Sequence, residues 1–361
     1  MTPPTREEQN PATKEILELA PNVRRLQLPI SFPGLGHVNC YILEDHRGVA
    51  LIDPGLPGPR SWKALMEGLA RAEINPEHIH TVVITHSHPD HFGGAGRLRR
   101  EFGSEIITHQ NFRLWWDIAD NDDGVLDHVN GVDENDPLFH DVKFRTRVSG
   151  PNGPTPWGGK SFRLPLNRRF SYSVMKRGWG GRYFATPEPT AKLDDADKIE
   201  LAGREFVAVH TPGHTVDHLC LFDPDDGLMF CGDHVLPTIT PHISGMTTAH
   251  DPLDDFFASL DRMKDFKGVK QALPAHGNPF SDMSGRVEDI KQHHRERLDI
   301  VREASDKLGP ATVEQHMQQL FKERAWGPMA ESETFAHLEH LRHAGEMSAR
   351  RRESGFLEYL S

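Results

Sequence analysis

Four side chains that can bind divalent metal ions follow directly after a run of β-branched residues. The run TVVIT at residues 81–85 is typical of a buried strand, and the segment HSHPDH at 86–91 continues it. Imidazole and carboxylate groups are the ligands that zinc and its neighbours prefer. A loop leaving a strand here can direct His86 and His88 at one ion, and Asp90 and His91 at a second. The alternative is a solvated histidine-rich turn.

Three later segments each place a ligand-type residue at the end of a predicted strand, beside glycine or proline. His214 lies in TPGHT at 211–215, Asp233 in FCGDH at 230–234, and His276 in LPAHGN at 273–278. Together with the first segment they favour a metal site over a solvated turn.

In order and spacing, the four segments resemble the metal-binding elements of the metallo-β-lactamase superfamily, over about residues 22–285. The resemblance implies an α+β fold in which four layers form an αββα sandwich, with metal ions at one edge. It also implies two sets of ligands joined by a bridging carboxylate. The first ion would take His86, His88 and His214, the second Asp90, His91 and His276, and Asp233 would bridge them.

Such a pair of ions predicts metal-assisted hydrolysis. A water or hydroxide shared by the ions would be the nucleophile, because zinc lowers the pKa of bound water to about 7. The ions would also polarise the substrate and stabilise the developing negative charge. Asp90 is the candidate catalytic residue, steering the nucleophile and accepting its proton. Zinc is the first choice of metal, and the same ligands accept iron or manganese.

The substrate is less defined than the reaction. Asp90 together with a bridging Asp233 looks like the glyoxalase-II-like branch, which implies a thioester such as an acyl-CoA or an acyl-glutathione. Phosphodiester cleavage, lactone hydrolysis and iron-dependent redox chemistry remain open. Basic and aromatic residues cluster between 160 and 183. They predict either a cap over an anionic small molecule, or a solvated loop or oligomer contact.

Composition limits the partners. The 361 residues carry a formal net charge of -12, which counts against a general nucleic-acid binder. No apolar run approaches the ~20 residues of a membrane span, and residues 1–21 do not read as a secretory signal. The three cysteines, Cys40, Cys220 and Cys231, read as small buried residues in a reducing cytoplasm. Cys231 is also an alternative metal ligand.

The pattern along the chain predicts three parts. Residues 1–21 form a tail with a helical fragment near residues 14–19, residues 22–285 form the catalytic domain with a cap or insert at 110–195, and residues 286–361 form a winged-helix-like domain. The last part resembles the small C-terminal domain of some superfamily members and would pack on the catalytic domain or support a homodimer. We expect Asp53 to brace the histidine loop, His242 to reach the substrate, and His293 and His294 to lie at the surface.

Overall fold

A seven-stranded sheet forms one half of the protein's centre. The computed structural model describes residues 6–32, 34–114, 138, 155–158 and 185–361. Neighbouring strands follow the chain order. The strands are β1 (Leu17–Ala20), β2 (Val23–Phe32), β3 (Leu35–Asp45), β4 (Gly48–Ile52), β5 (Ile79–Val83), β6 (Glu105–His109) and β7 (Ala191–Leu193). Strands β1 to β4 pair antiparallel, whereas β4 to β7 pair parallel.

A five-stranded sheet forms the other half. Its strands are β8 (Lys198–Leu201), β9 (Arg204–His210), β10 (Leu219–Asp223), β11 (Leu228–Gly232) and β12 (Gln271–Pro274), in the spatial order β12-β11-β10-β9-β8. Only β11 and β12 pair parallel. A parallel pair requires a crossover connection, and this one contains helix α4 (Pro252–Asp265).

Alternating side chains join the two sheets and also pack each sheet against helices. On β3, Tyr41 and Leu43 belong to the apolar cluster between the sheets, whereas Cys40 and Ile42 belong to the cluster on the outer face. Helices α1 (Pro59–Arg71) and α3 (Ala95–Phe102) contribute to that outer cluster. Helix α4 covers the other sheet through Phe256. The predicted α+β fold with four αββα layers is confirmed.

The C-terminal residues form helices and a small sheet. The elements are α5 (Met283–Leu308), β13 (Ala311–Thr312), α6 (Val313–Leu320), α7 (Pro328–His343), β14 (Ser348–Arg351) and β15 (Leu357–Leu360), and the three strands pair antiparallel in the order β13-β15-β14. Their apolar residues join one continuous cluster with α4 and the outer face of the five-stranded sheet. The predicted boundary at 285/286 falls in the first turn of α5. The division into domains and the winged-helix assignment stay predictions.

Two local expectations are wrong. The segment near residues 14–19 is not helical, because Leu17–Ala20 forms β1 on the edge of the seven-stranded sheet, where pairing with β2 overrides local preference. His294 is not at the surface but fully buried, with Phe256 and Phe257 at its ring. It lies four residues after Ile290 and four before Leu298, on the buried face of α5.

The structure also bears on the predictions about the cysteines, the basic stretch and membrane spans. The three cysteines are free and buried, as expected. The basic and aromatic stretch at 160–183 lies outside the described residues, so the cap stays a prediction. Within the described ranges, no helix is both long and apolar enough to cross a membrane.

Candidate metal centre

The four predicted ligand segments all leave the carboxyl end of a strand. Strands β5, β9, β11 and β12 end at Val83, His210, Gly232 and Pro274, and each is followed within a few residues by its ligands. The short helix α2 (Pro89–Phe92) begins directly after His88 and carries Asp90 and His91 in its single turn. Proline is suited to the first helical position because its φ is already helical.

A glycine lets this helix sit close to the preceding loop. Gly93 follows α2, and a Cβ atom at that position would lie 2.0 Å from the backbone nitrogen of Pro57. The Gly93 nitrogen also donates to the Gly55 oxygen at 2.7 Å. The ligand segment is therefore held against the loop after β4, which carries Asp53.

Three ring nitrogens meet in the first cluster. Nδ1 of His88 lies 3.0 Å from Nε2 of His86 and 3.0 Å from Nε2 of His214. Oδ2 of Asp233 lies 3.9 Å from the His86 nitrogen and 3.6 Å from the His214 nitrogen. One ligand atom from each of these four residues lies within 4.8 Å of the others, which is close enough to hold one ion.

Asp90, His91 and His276 form the second cluster. Oδ2 of Asp90 lies 3.7 Å from Nε2 of His91 and 3.6 Å from Nε2 of His276. Asp233 reaches this cluster as well, with Oδ1 at 3.2 Å from the His276 nitrogen and Oδ2 at 3.6 Å from the His91 nitrogen. Asp233 therefore lies between the two clusters, and its oxygens contact both.

Unpaired buried atoms test whether these residues fit metal ions. Nε2 of His91, Nε2 of His276 and Oδ1 of Asp233 are buried and make no hydrogen bond of acceptable geometry, although the last two atoms lie 3.2 Å apart. Leaving a polar atom buried and unpaired costs about 1–3 kcal/mol. All three atoms face the same small volume, where a divalent cation would satisfy them. The residues therefore fit two ions, and nitrogen and oxygen donors of this kind accept zinc, iron or manganese.

The charge states agree with this fit. Burial lowers the pKa values of His86, His88 and His214, which favours the neutral imidazole that binds metal. Burial also opposes charge on His91 and Asp233, but their mutual attraction and their other charged neighbours outweigh it. The pKa of His91 is raised well above its usual value and that of Asp233 is lowered well below. The surroundings of the second cluster thus favour a positive charge. A bound cation would supply this charge in place of the proton on the His91 ring.

Comparison with known proteins identifies the family. Residues 33–120 and 126–276 match the Metallo-beta-lactamase superfamily, and this span contains all seven predicted ligands. The chain belongs to the metallo-beta-lactamase superfamily. A solved metallo-beta-lactamase family protein of Thermus thermophilus is 26% identical, with a TM-score of 0.73 over 95% of this chain and 99% of that one.

Curated relatives of this chain differ in sequence identity and in the share of the chain that they match. Probable metallo-hydrolase YqjP of Bacillus subtilis is 26% identical over 307 residues, which cover 83% of this chain and 85% of that protein. Atrochrysone carboxyl ACP thioesterase dmxR1 of a Cryptosporiopsis species is 32% identical over 108 residues, 30% of this chain and 31% of that protein. A beta-lactamase-like protein 2 homolog of Caenorhabditis elegans is 22% identical over 72% of this chain. The chain spans 62% of the Caenorhabditis elegans relative and 31% of the thioesterase, under two thirds of either.

In this superfamily chain, Asp53 contacts the histidine loop at three points, as expected from the resemblance. Its carboxylate accepts from the Thr85 nitrogen at 2.9 Å and from the Thr85 hydroxyl at 2.7 Å. It also lies 2.8 Å from Nδ1 of His91. A carboxylate on the second ring nitrogen fixes the orientation of a ligating imidazole and leaves Nε2 free for an ion.

Further supporting residues were missed in the sequence. The His218 ring accepts from the Asp233 nitrogen at 3.0 Å, and the Ser87 hydroxyl donates to Asp217 at 3.1 Å. Burial raises the pKa of Asp217 to about 6. Asp217 and His218 lie within four positions of His214. Their closeness to a predicted ligand in the sequence was a signal that could have identified them.

Two candidates lie apart from the ligand clusters. The thiol of Cys231, the alternative ligand, donates to the Met229 oxygen at 3.2 Å and packs in the core. His242 does not belong to either cluster, and its side chain lies 3.3 Å from Glu333. Its backbone oxygen, however, lies 2.7 Å from Nδ1 of His214.

Proposed function

We propose that this protein is a binuclear-metal-dependent hydrolase that cleaves a thioester of the acyl-CoA or acyl-glutathione type. The observation that carries the proposal is the position of Asp233, whose two carboxylate oxygens contact both clusters of ligand atoms. Bound ions would polarise the substrate carbonyl and lower the pKa of a water molecule enough for attack at neutral pH. Zinc is the proposed metal, with iron and manganese as alternatives.

The residues of the chain have distinct proposed roles. His86, His88 and His214 hold the first ion, Asp90, His91 and His276 hold the second, and Asp233 bridges them. Asp90 is a buried member of the second cluster. From there its carboxylate orients the attacking water and accepts its proton, a role that typically contributes 10²–10⁴-fold to the rate.

Relatives and charge support the choice of substrate. One relative is named as an acyl-carrier-protein thioesterase, and its matched segment is 32% identical. The net charge of -12 disfavours a large polyanion. We therefore propose a small-molecule substrate instead of a nucleic acid, and the basic residues between 160 and 183 favour an anionic one. The cytoplasmic location and the homodimer remain part of this proposal.

The test measures metal content and turnover on the same preparation. Protein purified without added metal is assayed for bound ions, then with an acyl-CoA, an acyl-glutathione, a lactone, a phosphodiester and a β-lactam, before and after chelation. We expect about two ions per chain, and thioester turnover that is lost on chelation and restored by zinc. Asp90→Asn should lower the rate by at least about 10²-fold. The matched control, Asp265→Asn at the exposed end of α4, should leave it unchanged.

Other outcomes would replace parts of the proposal. Turnover of only the phosphodiester or the lactone would keep the metal site and change the substrate. About one iron ion per chain with oxygen uptake would replace hydrolysis by redox chemistry.

A further inference from the structure

Helix α7 binds the loop at residues 240–247, which leads from β11 towards α4. The Gly245 nitrogen lies 3.1 Å from both the backbone oxygen and the hydroxyl of Ser332. The hydroxyls of Ser244 and Ser332 lie 3.0 Å apart. A Cβ atom on Gly245 would be 2.5 Å from the Phe335 ring and 2.7 Å from the Ser332 oxygen. The loop therefore lies against the helix too closely for a side chain to fit between them.

The next residue of α7 holds a histidine of the same loop. Oε2 of Glu333 lies 3.3 Å from Nδ1 of His242, and its other oxygen is paired with Arg297. Burial raises the pKa of the Glu333 carboxyl, but the hydrogen bond from His242 and the charge of Arg297 outweigh it. The pKa is held below its ordinary value, so the group is ionised. An ionised acceptor strengthens a hydrogen bond relative to a neutral one, and this contact positions the His242 side chain against α7.

His242 connects this contact to the metal centre. Its side chain meets Glu333, while its backbone oxygen lies 2.7 Å from Nδ1 of His214. A carbonyl partner on Nδ1 fixes the tautomer and ring orientation of a ligating histidine, so that Nε2 points at the ion. The position of that carbonyl depends on the contacts between the loop and α7.

We propose that Ser332 and Glu333 are positioning residues for the first metal site, acting through the His242 carbonyl on the ligand His214. The affinity of the first site for its ion then depends on a helix outside the span that matches the family, residues 33–120 and 126–276.

A second reading of Glu333 makes it a metal ligand itself. Ligand atoms of His294, Glu333 and His337 lie within 4.8 Å of one another. Nδ1 of His294, however, already lies 3.1 Å from Nε2 of His337, and Arg297 is paired with the carboxylate. A third cation would have to displace or neighbour that guanidinium. The contacts therefore favour the positioning role.

The experiment titrates the metal-free full-length chain with cobalt(II) and zinc. Cobalt absorption bands report the geometry of each site, and chelator competition measures affinity without any substrate. The variants are Glu333→Gln and Ser332→Ala. Glu346→Gln is the matched control, because Glu346 pairs with Arg302 at the surface of the same region. We expect both variants to bind one of two ions about 10–100-fold more weakly, with altered cobalt bands from that site. The control should match the wild type.

Three results would overturn the proposal. The first is wild-type metal affinity and wild-type cobalt bands in both variants. The second is the loss of a third ion in Glu333→Gln while the first site is unchanged. The third is a wild-type chain that binds no metal. Circular dichroism checks folding, and Ser332→Ala decides the matter where Glu333→Gln does not fold. The readout does not involve catalysis. Two bound ions without thioester turnover would therefore contradict the proposed function but not this inference.

Discussion

Nδ1 of His276 lies 2.6 Å from the backbone oxygen of His37. The His37 ring is itself held at both nitrogens, with Nδ1 2.7 Å from the Asn10 oxygen and Nε2 3.1 Å from the Gly277 nitrogen. Burial lowers the pKa of His37, so the ring is neutral. Nδ1 then donates to Asn10, and Nε2 accepts from Gly277. Asn10 and His37 thereby hold His276, a member of the second cluster, in position.

Replacing His37 tests this support. His37→Ala keeps the backbone carbonyl but removes both ring contacts, and leaves the Asn10 oxygen and the Gly277 nitrogen without this partner. We expect the free energy of unfolding to fall by about 1–3 kcal/mol and the second ion to bind about 10-fold more weakly. Urea unfolding and metal titration measure the two effects. His46→Ala, at an exposed position, is the control and should change neither. Unchanged metal affinity in His37→Ala would show that the ring does not support the site.

Asp53 offers a second test, at His91. Asp53→Asn retains the shape of the side chain, and asparagine tolerates the positive φ of 56° at this position. It weakens the acceptor that holds Nδ1 of His91. We expect the second ion to bind about 10–100-fold more weakly while the protein remains folded. Isothermal titration with zinc measures the affinity. Asp45→Asn, which disrupts a pair with Arg47 away from the ligand clusters, should bind like the wild type. Equal affinities in the two variants would contradict the assigned role of Asp53.

Because Asp233 lies between the two clusters, replacing it should weaken the binding of more ions than replacing a residue of one cluster. Asp233→Ala removes oxygens that contact both clusters, so we expect both ions to be weakened. His214→Ala removes a ligand of the first cluster alone and should retain about one ion per chain. Equilibrium dialysis followed by elemental analysis measures both values. Retention of one tightly bound ion in Asp233→Ala would rule out the bridge.

The raised pKa of Asp255 predicts a pH dependence of stability. Burial, together with the charges of Asp251 and Asp254, raises its pKa from 3.8 to about 6. Between these values the folded protein keeps a proton that the unfolded chain has lost, so stability falls as pH rises through the window. Asp255→Asn removes this loss. It should exceed the wild type by about 1–2 kcal/mol above pH 6, after allowance for partial solvent screening, and show little gain near pH 4. Urea unfolding at both pH values measures the difference, and an equal gain at both would contradict the assignment.

The members of the two clusters could be predicted from the sequence because each lies in a short segment directly after a strand. Strand ends and loop residues are local features, so HSHPDH, TPGHT and the later segments are visible without any contact information. The edge strand β1 was missed for the opposite reason. Its four residues carry no clear strand pattern, and pairing with β2 determines their structure.

The contacts of His37 and Glu333 could not be predicted, because they form across long sequence separations. His37 lies 239 residues before His276, and Glu333 lies 91 residues after His242. Neither contact leaves a pattern in its own segment. His294 is a different case, since its spacing with Ile290 and Leu298 marked the buried face of α5.

The order of the ligands and their supports along the chain has a consequence for protein synthesis. Translation proceeds at about 5–20 residues per second, so the time from residue 91 to residue 333 is roughly 10–50 s. During that interval the HSHPDH segment has been synthesised, but helix α7, which contacts the 240–247 loop, does not yet exist. An ion bound by the first cluster would therefore meet its complete binding site only when most of the chain has been made. We therefore expect metal loading of the first cluster to be a late event in the maturation of this protein.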